Sequence, residues 1–330
     1  MKWTDKKVLV TGGASFIGSH LTERLVQIGA QVRVADNFSS GEESHLRNIE
    51  CETVKGDLLD PNFCNLATKG IEIVFHLAAD HGGRGYIDSH QVECSTNLIL
   101  DGQVFRFAHR NGAEKIVFAS SGCVYPTSAQ MDVTKEVFLY EEMVKPPYEA
   151  DDLYGWAKLM AELTLKAYHR QLGLRTASCR YFTVYGPRCT ENHAVMAMIA
   201  RGYLKLDPFE VWGDGEQTRS FMFIDDCIYG TKKIFNSDFR DVYNLGSSEQ
   251  VSINQMIDMV EKIAEYKVER EYLLDKPKGV RGRSSDNTKI INDFKWEPNI
   301  KLYSGLEKTF SWIYQSLKNP ENTQKFTSSY

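Results

Sequence analysis

An α/β fold, with a doubly wound parallel sheet covered by helices on both faces, is the architecture this 330-residue sequence predicts. Three observations lead to it. Short apolar runs recur along the N-terminal half at the spacing of β-α units. The segments between them carry the apolar periodicity of helices. The first run is followed at once by a glycine turn that opens a helix, which is how a nucleotide-binding α/β sheet begins.

Lys7-Val8-Leu9-Val10 is the first strand. Thr11-Gly12-Gly13-Ala14-Ser15-Phe16-Ile17-Gly18 follows, and a helical pattern runs from Ser19 to about Ile28, closed by Gly29. Gly12 allows a tight turn and close approach of backbone to a pyrophosphate. Gly18 allows close helix–strand packing, and the helix N-terminus offers N–H groups to phosphate. Ser15, Phe16 and Ile17 complete the turn, with Ser15 where a second glycine is usual; its side chain restricts φ but can stay near a phosphate. The next run, Gln31-Val32-Arg33-Val34-Ala35, ends at Asp36, near the ~20-residue offset at which a carboxylate binds ribose hydroxyls. Its charge repels a 2′-phosphate, so the expected cofactor is NAD.

The alternation continues through a strand over Cys51–Leu58, ending in the turn Gly56-Asp57-Leu58, where Asp57 and Leu58 are expected to meet adenine. A buried strand over Ile71–Ala79 follows, and the small Ala78 and Ala79 suit a close cofactor. The loop Asp80-His81-Gly82-Gly83-Arg84-Gly85 leads to a helix over about His90–Arg110 and a strand over Lys115–Ser121. Ligands on such sheets lie at the carboxyl ends of strands, which sets Ser121 and Cys123 at the ligand edge. A helix continues past Lys158 to about Leu172, and a strand spans Arg175–Phe182 until Tyr185-Gly186-Pro187 breaks it. Beyond that the rhythm loosens. A polar loop precedes a helix over Ala194–Leu204, a strand and turn over Phe209–Gly215, and a short strand ending near Asp225. Two domains are expected: 1–180, binding the dinucleotide and carrying the Tyr/Lys helix, and 181–330, mostly binding substrate, with some chain crossing back.

The chemistry centres on two strings, Ser120-Ser121-Gly122-Cys123-Val124-Tyr125-Pro126 and Tyr154-Gly155-Trp156-Ala157-Lys158. Tyr154 and Lys158 are four residues apart, on one helix face and one turn from each other. A phenol titrates near ~10, but an adjacent ammonium and a nicotinium ring both favour the phenolate. Such a Tyr can take a proton from an alcohol while hydride leaves the same carbon. Ser121 can bond the reacting oxygen, and the Cys123 thiol can serve as acid or base toward a carbon-bound proton.

Composition narrows the class. Apolar residues make up 42% and charged residues 25%, as in ordinary globular proteins. The net charge of −5 argues against nucleic acid as a partner. No apolar run reaches the ~18 residues of a membrane span, and Met1–Lys7 lacks a signal-peptide core. Seven scattered cysteines without C-x-x-C spacing fit reduced thiols in the cytoplasm and no metal site. The basic loop Lys276–Arg283 predicts an anionic ligand, and the stretch from about Lys318 a frayed tail.

Taken together, the glycine turn, Asp36, Gly56-Asp57-Leu58, His76-Leu77-Ala78-Ala79, Ser120-Ser121, Tyr154 with Lys158, and Tyr185-Gly186-Pro187 resemble the extended short-chain dehydrogenase/reductases, which act on nucleotide sugars. His81-Gly82-Gly83-Arg84-Gly85, the Ser120–Pro126 string, Trp212–Phe221 and Gly279–Asn287 are similar to the branch that epimerises GDP-mannose at C3 and C5. The resemblance implies a Rossmann-like fold, bound NAD and a GDP-hexose substrate. It implies that NAD oxidises C4 transiently with Tyr154, Lys158 and Ser121, so that C3 and C5 become acidic, and that Cys123 serves one face of the ring. A Lys serves the other face in that branch. Here the region reads Glu191-Asn192-His193-Ala194, and His193 is the natural substitute, able to exchange a proton at neutral pH.

The same resemblance implies substrate contacts from Gly82, Gly83, Arg84, Thr183, Asn192, Arg219 and Arg281, the two last holding the diphosphate. Arg84 replaces a Met of the branch and Thr183 an Asn, which leaves the sugar and the number of inverted centres open. It implies a homodimer formed by two helices from each subunit, around Thr96–Arg110 and Leu153–Tyr168. Other chemistries share the fold. A C4-epimerase needs Tyr154 and Lys158 but no further acid/base pair. A 4,6-dehydratase or a decarboxylase needs carboxylates where this chain has Gly122 and Cys123. A non-catalytic dinucleotide binder need keep neither Tyr154 nor Lys158.

Overall fold

A computed structural model describes residues 3–130, 137–190, 194–205, 208–236, 241–275 and 282–318. The chain divides into two compact units, Met1–Tyr125 with Val144–Tyr181 and Ile228–Asn244, and Pro126–Met143 with Phe182–Cys227 and Leu245–Tyr330.

The first unit is built on β1 (Lys7–Thr11), α1 (Phe16–Gln27), β2 (Gln31–Asp36), β3 (Glu52–Lys55), α2 (Pro61–Thr68), β4 (Ile73–His76), α3 (Arg84–Ser89), α4 (Gln91–Ser95), α5 (Asn97–Arg110), β5 (Lys115–Ser121) and α6 (Asp152–Leu172). Strands Arg175–Tyr181 and Val242–Leu245 complete a seven-stranded sheet, ordered β3-β2-β1-β4-β5 and then these two. The neighbours from β3 to Arg175–Tyr181 pair in parallel. This is the expected doubly wound α/β fold. The strand order reverses between β1 and β4, and at such a reversal the carboxyl ends of strands leave a crevice. The strands read as nearly continuous apolar runs because helices cover both faces. Val8, Leu9, Val10, Val74, Phe75, Ile116 and Phe118 are all fully buried.

Elements differ from the sequence reading where local geometry intervenes. α1 begins at Phe16, three residues earlier than expected, because the glycine turn is complete by Ser15, whose extended backbone (φ −79°, ψ −178°) starts the helix. The expected loop after β4 turns helical from Arg84, and the expected helix from His90 is broken into α4 and α5. Thr96, with φ −63° and ψ −20°, lies between α4 and α5, while His90, with φ −121° and ψ 50°, ends α3 and starts α4. The strand expected to end near Asp225 is only Met222–Phe223, since a helix starts at Ile224. The expected C-terminal tail lies outside the described residues from 319 onward.

The second unit holds a four-stranded sheet ordered Gln250–Ser252, Thr218–Ser220, Gly282–Ser285, Phe138–Leu139. Two strand pairs accompany it, Met222–Phe223 with Val184–Tyr185 and Arg270–Leu273 with Phe209–Trp212. Its helix Ile253–Ala264 starts with a reciprocal cap between Ser252 and Gln255, satisfying two N–H groups that a helix leaves without partners.

A buried ion pair fastens α6 to the sheet. Arg180 Nη2 donates to Glu162 Oε2 at 2.7 Å and its Nε to Oε1 at 2.9 Å, while Ser120 Oγ donates to Oε1 at 2.5 Å. Arg180 Nη1 donates to Tyr125 Oη at 3.1 Å, and that hydroxyl donates to Asn244 Oδ1 at 2.6 Å. Both members of the pair are 2% exposed, so removing one strands the other in a site without water. Glu162→Ala is expected to cost about 3–5 kcal/mol in urea unfolding; a loss below about 1 kcal/mol would show that the pair does not hold the helix.

Candidate active site

The cofactor cradle is built where β1 and β4 end. Gly12 has φ +66°, a left-handed conformation that glycine adopts without penalty, and a Cβ on it would lie 2.9 Å from Ala78 N. A Cβ on Gly18 would lie 2.0 Å from the Gly12 carbonyl oxygen, so α1 can approach the turn only as glycine. Ser15 fits the second fingerprint position because its φ is ordinary and its Oγ turns inward, donating to Gly12 O at 2.6 Å. It makes no side-chain cap on α1, so the helix end keeps backbone N–H groups for an anion. Phe16 and Ile17 are half-buried in the first turn, and Ala78 and Ala79 are half-buried beyond β4.

Asp36, buried at the end of β2, accepts from Ala14 N at 2.9 Å and Phe38 N at 2.8 Å, one bond to each oxygen. An ionised carboxylate has about four acceptor positions, so capacity remains for ribose hydroxyls. Asp57 accepts from Leu59 N at 2.8 Å, and Leu58 is buried beneath that turn. The cradle therefore fits a dinucleotide without a 2′-phosphate.

The reactive groups gather where β5 runs into a short 3₁₀ turn, Gly122–Val124, packed under the start of α6. Ser121 Oγ accepts from Cys123 N at 3.2 Å and lies toward the Tyr154 hydroxyl. Cys123 is half-buried, and its carbonyl accepts from Asp151 N at 2.9 Å, tying the turn to the helix start. Lys158 is 2% exposed; its Nζ lies 4.6 Å from the centre of the Phe118 ring and 5.8 Å from that of Tyr154. Ser121, Cys123, Tyr154 and Lys158 thus come together in one unit.

Burial pushes the Tyr154 phenol well above its ordinary range, with the Cys123 thiol acting the same way; the Ser121 hydrogen bond opposes both. Burial also pulls the Lys158 ammonium below its ordinary value, against the charges of Asp101 and Cys123. The pair by itself therefore does not make a ready phenolate. A positive nicotinium ring has to supply the remaining bias.

The other expected contacts divide between places. Gly82 and Gly83 lead into α3, and a Cβ on Gly82 would lie 2.5 Å from the Tyr86 Cβ and 2.6 Å from its ring. Arg84 is the first residue of α3. In the second unit Thr183 O accepts from Met222 N at 2.9 Å, and Arg219 Nη1 donates to Thr218 O at 2.7 Å. Asn192, His193 and Arg281 lie outside the described residues. Among the described residues no group of His, Cys, Asp and Glu is arranged to hold a metal ion, and no helix is long and apolar enough to cross a membrane.

Several residues that shape the site escaped sequence reasoning: Thr11, Asp101, Glu162 and Arg180. The signal for two of them was legible. Asp101 falls on the buried stripe Asn97, Leu100, Val104, Phe105 and Ala108 of α5, and Glu162 on the stripe Gly155, Lys158, Leu165 of α6. A carboxylate on an apolar stripe marks a buried polar network.

Gly155 decides how close the two strings come. A Cβ on it would lie 2.2 Å from the Cys123 carbonyl oxygen, against backbone that cannot swing aside. Gly155→Ala is expected to push α6 off the turn and lower turnover about 100-fold, since displacements near ~1 Å have that effect on aligned groups. Wild-type turnover in that variant would contradict the packing described.

Residues 8–246 match the model of the NAD dependent epimerase/dehydratase family. GDP-mannose 3,5-epimerase of Arabidopsis thaliana is 36% identical over 98% of this chain and 86% of its own length. UDP-glucuronic acid decarboxylase 1 of Xenopus tropicalis is 28% identical over 97% of this chain and 75% of its own. The crystal structure of UDP-glucuronic acid 4-epimerase from Bacillus cereus, in complex with UDP-glucuronic acid and NAD, superposes with a TM-score of 0.82 at 29% identity, covering 94% of this chain and 99% of that one. The chain belongs to the NAD dependent epimerase/dehydratase family, as an NAD-dependent enzyme of the nucleotide-sugar epimerase type.

Proposed function

We propose that the protein inverts C3, C5 or both in a GDP-hexose, by way of a ketone formed transiently at C4. The observation that carries this reading is the half-buried thiol of Cys123, on the same turn as Ser121 and against the helix of Tyr154. A thiol there is a proton carrier of the kind needed for an acidic C–H, and neither position 122 nor position 123 offers a carboxylate for dehydration or decarboxylation. The 36% identity to a GDP-mannose 3,5-epimerase supports the same choice of sugar nucleotide.

Bound NAD supplies the redox chemistry, accepting hydride from C4 and returning it. Every proton movement falls to the chain. Tyr154 takes the C4 hydroxyl proton, Ser121 holds that oxygen, and Lys158 stabilises the tyrosinate. With a ketone at C4, loss of a proton from C3 or C5 gives an enolate. Cys123 exchanges the proton on one face and His193 on the other, so the centre returns inverted. Gly82, Gly83, Arg84, Thr183 and Asn192 contact the sugar, and Arg219 and Arg281 hold the diphosphate. The first unit is then the cofactor-binding part and the second mostly the sugar-nucleotide part.

Epimerisation at C4 alone is the second reading, favoured by the likeness to a UDP-glucuronic acid 4-epimerase. The two separate in deuterated water. With GDP-mannose the first reading expects deuterium at C3 or C5 of recovered sugar; inversion without uptake would support the second, and a 4-keto-6-deoxy sugar would contradict both. In Cys123→Ala, oxidation at C4 should persist, seen as transient reduced nicotinamide, while exchange at the carbon it serves collapses. In Tyr154→Phe both should be lost.

Exposed apolar side chains on α5 and α6 (Leu98, Ile99, Leu153, Trp156 and Met160) support a homodimer formed through these helices. Ile99→Lys with Met160→Glu is expected to give a monomer by light scattering, and an unchanged dimer would reject this face. The seven free thiols fit a cytoplasmic setting.

A further inference from the structure

Asp101 lies inside the first unit with 2% of its surface exposed. Its Oδ1 faces His76 Nε2 at 2.9 Å. Its Oδ2 is buried as well and has no hydrogen-bond partner among the described residues. The hydrogen bonds around Thr11 assign the His76 tautomer. Thr11 Oγ1 accepts the N–H groups of Leu77 and Ala78, each at 3.1 Å, which fills both its lone pairs. Its own proton therefore goes to His76 Nδ1 at 2.7 Å. His76 then carries its proton on Nε2 and donates it to Asp101 as a neutral ring. The carboxyl receives one neutral hydrogen bond from the β4 side and no charge.

Lys158 is the cation that reaches toward Asp101 from α6, which packs against α5. Phe118 is the shared surface: the His76 ring lies 5.8 Å from it and the Lys158 ammonium 4.6 Å from its centre. Among the described residues the titratable groups that act on Lys158 are Asp101 on α5, Cys123 on the turn after β5 and Tyr154 on α6 itself, with Cys94 of α4 near Tyr154, while His76 on β4 faces Asp101. A buried ammonium without an anion is driven toward the neutral amine, and a neutral amine cannot stabilise a tyrosinate.

We propose that Asp101 is a positioning residue, a buried carboxylate that serves as counter-charge and keeps Lys158 an ammonium beside Tyr154. This rests on the reading of Tyr154 and Lys158 given above. Asp101 would touch neither sugar nor nicotinamide, and would act only through the lysine.

Asp101→Asn tests it, because Asn keeps the acceptor for His76 and removes the charge. In full-length protein carrying ¹³C-lysine, the Lys158 Cε resonance, assigned by its loss in Lys158→Arg, reports the ammonium directly. The expected result is an acid dissociation constant for Lys158 raised at least about tenfold, or about one pH unit. The alkaline limb of turnover should move to lower pH with it. Lys158 titrating at the same pH in both proteins would overturn the proposal. So would a profile lowered at every pH without a shift, which is what a merely structural role gives. Asp101→Ser is the second variant should Asn not fold, and it must shift Lys158 in the same direction. Turnover surviving in Tyr154→Phe would sink the reading beneath the proposal, and the role of Asp101 with it, whatever Lys158 does.

Discussion

The absence of a side chain at Gly155 sets the distance between two pieces of chemistry that are far apart in sequence. There α6 presses on the carbonyl of Cys123, with no space for even one carbon. Asp151 N bonds the same carbonyl at 2.9 Å, so the helix start and the turn after β5 are fixed to one another. This contact brings the turn that carries Ser121 and Cys123 against the helix that carries Tyr154.

Such a site is costly to build, because it puts charge where water cannot follow. Below α6 the Arg180–Glu162 pair is neutralised internally, and Nε, Nη1 and Nη2 of Arg180 each donate to an oxygen of Glu162 or Tyr125. One turn nearer the site, the arrangement is less complete: Lys158 rests on the face of Phe118, and one oxygen of Asp101 has no hydrogen bond among the described residues. The first pair fixes a position. The second pair, in the role proposed for it, fixes a protonation state. Both use the same physics, since an ion in low dielectric needs a partner.

Much of this was legible in the residues. The glycine turn, Asp36 and the Tyr154/Lys158 spacing required only backbone sterics and helix periodicity, and the parallel sheet follows from repeated β-α units. Ser15 looked like a departure and proved compatible, because its hydroxyl bonds within the turn. The helical turn from Arg84 and the division at Thr96 were not legible, since local backbone conformation decides both. Neither was the pairing of Asp101 with His76, as the partners lie 25 residues apart and only the sheet brings them together. The phenol was expected to be lowered by its lysine. Burial reverses that before a cofactor arrives, a many-body effect that spacing does not contain.

The central claim is that a carbon–hydrogen bond at C4 breaks and re-forms within one bound sugar while its neighbours exchange with solvent. GDP-mannose deuterated at C4, turned over in ordinary water, tests it most directly. Slower turnover than with unlabelled sugar is expected, with a product that keeps its deuterium at C4. Equal rates on labelled and unlabelled sugar, together with C4 deuterium lost to water, would contradict it.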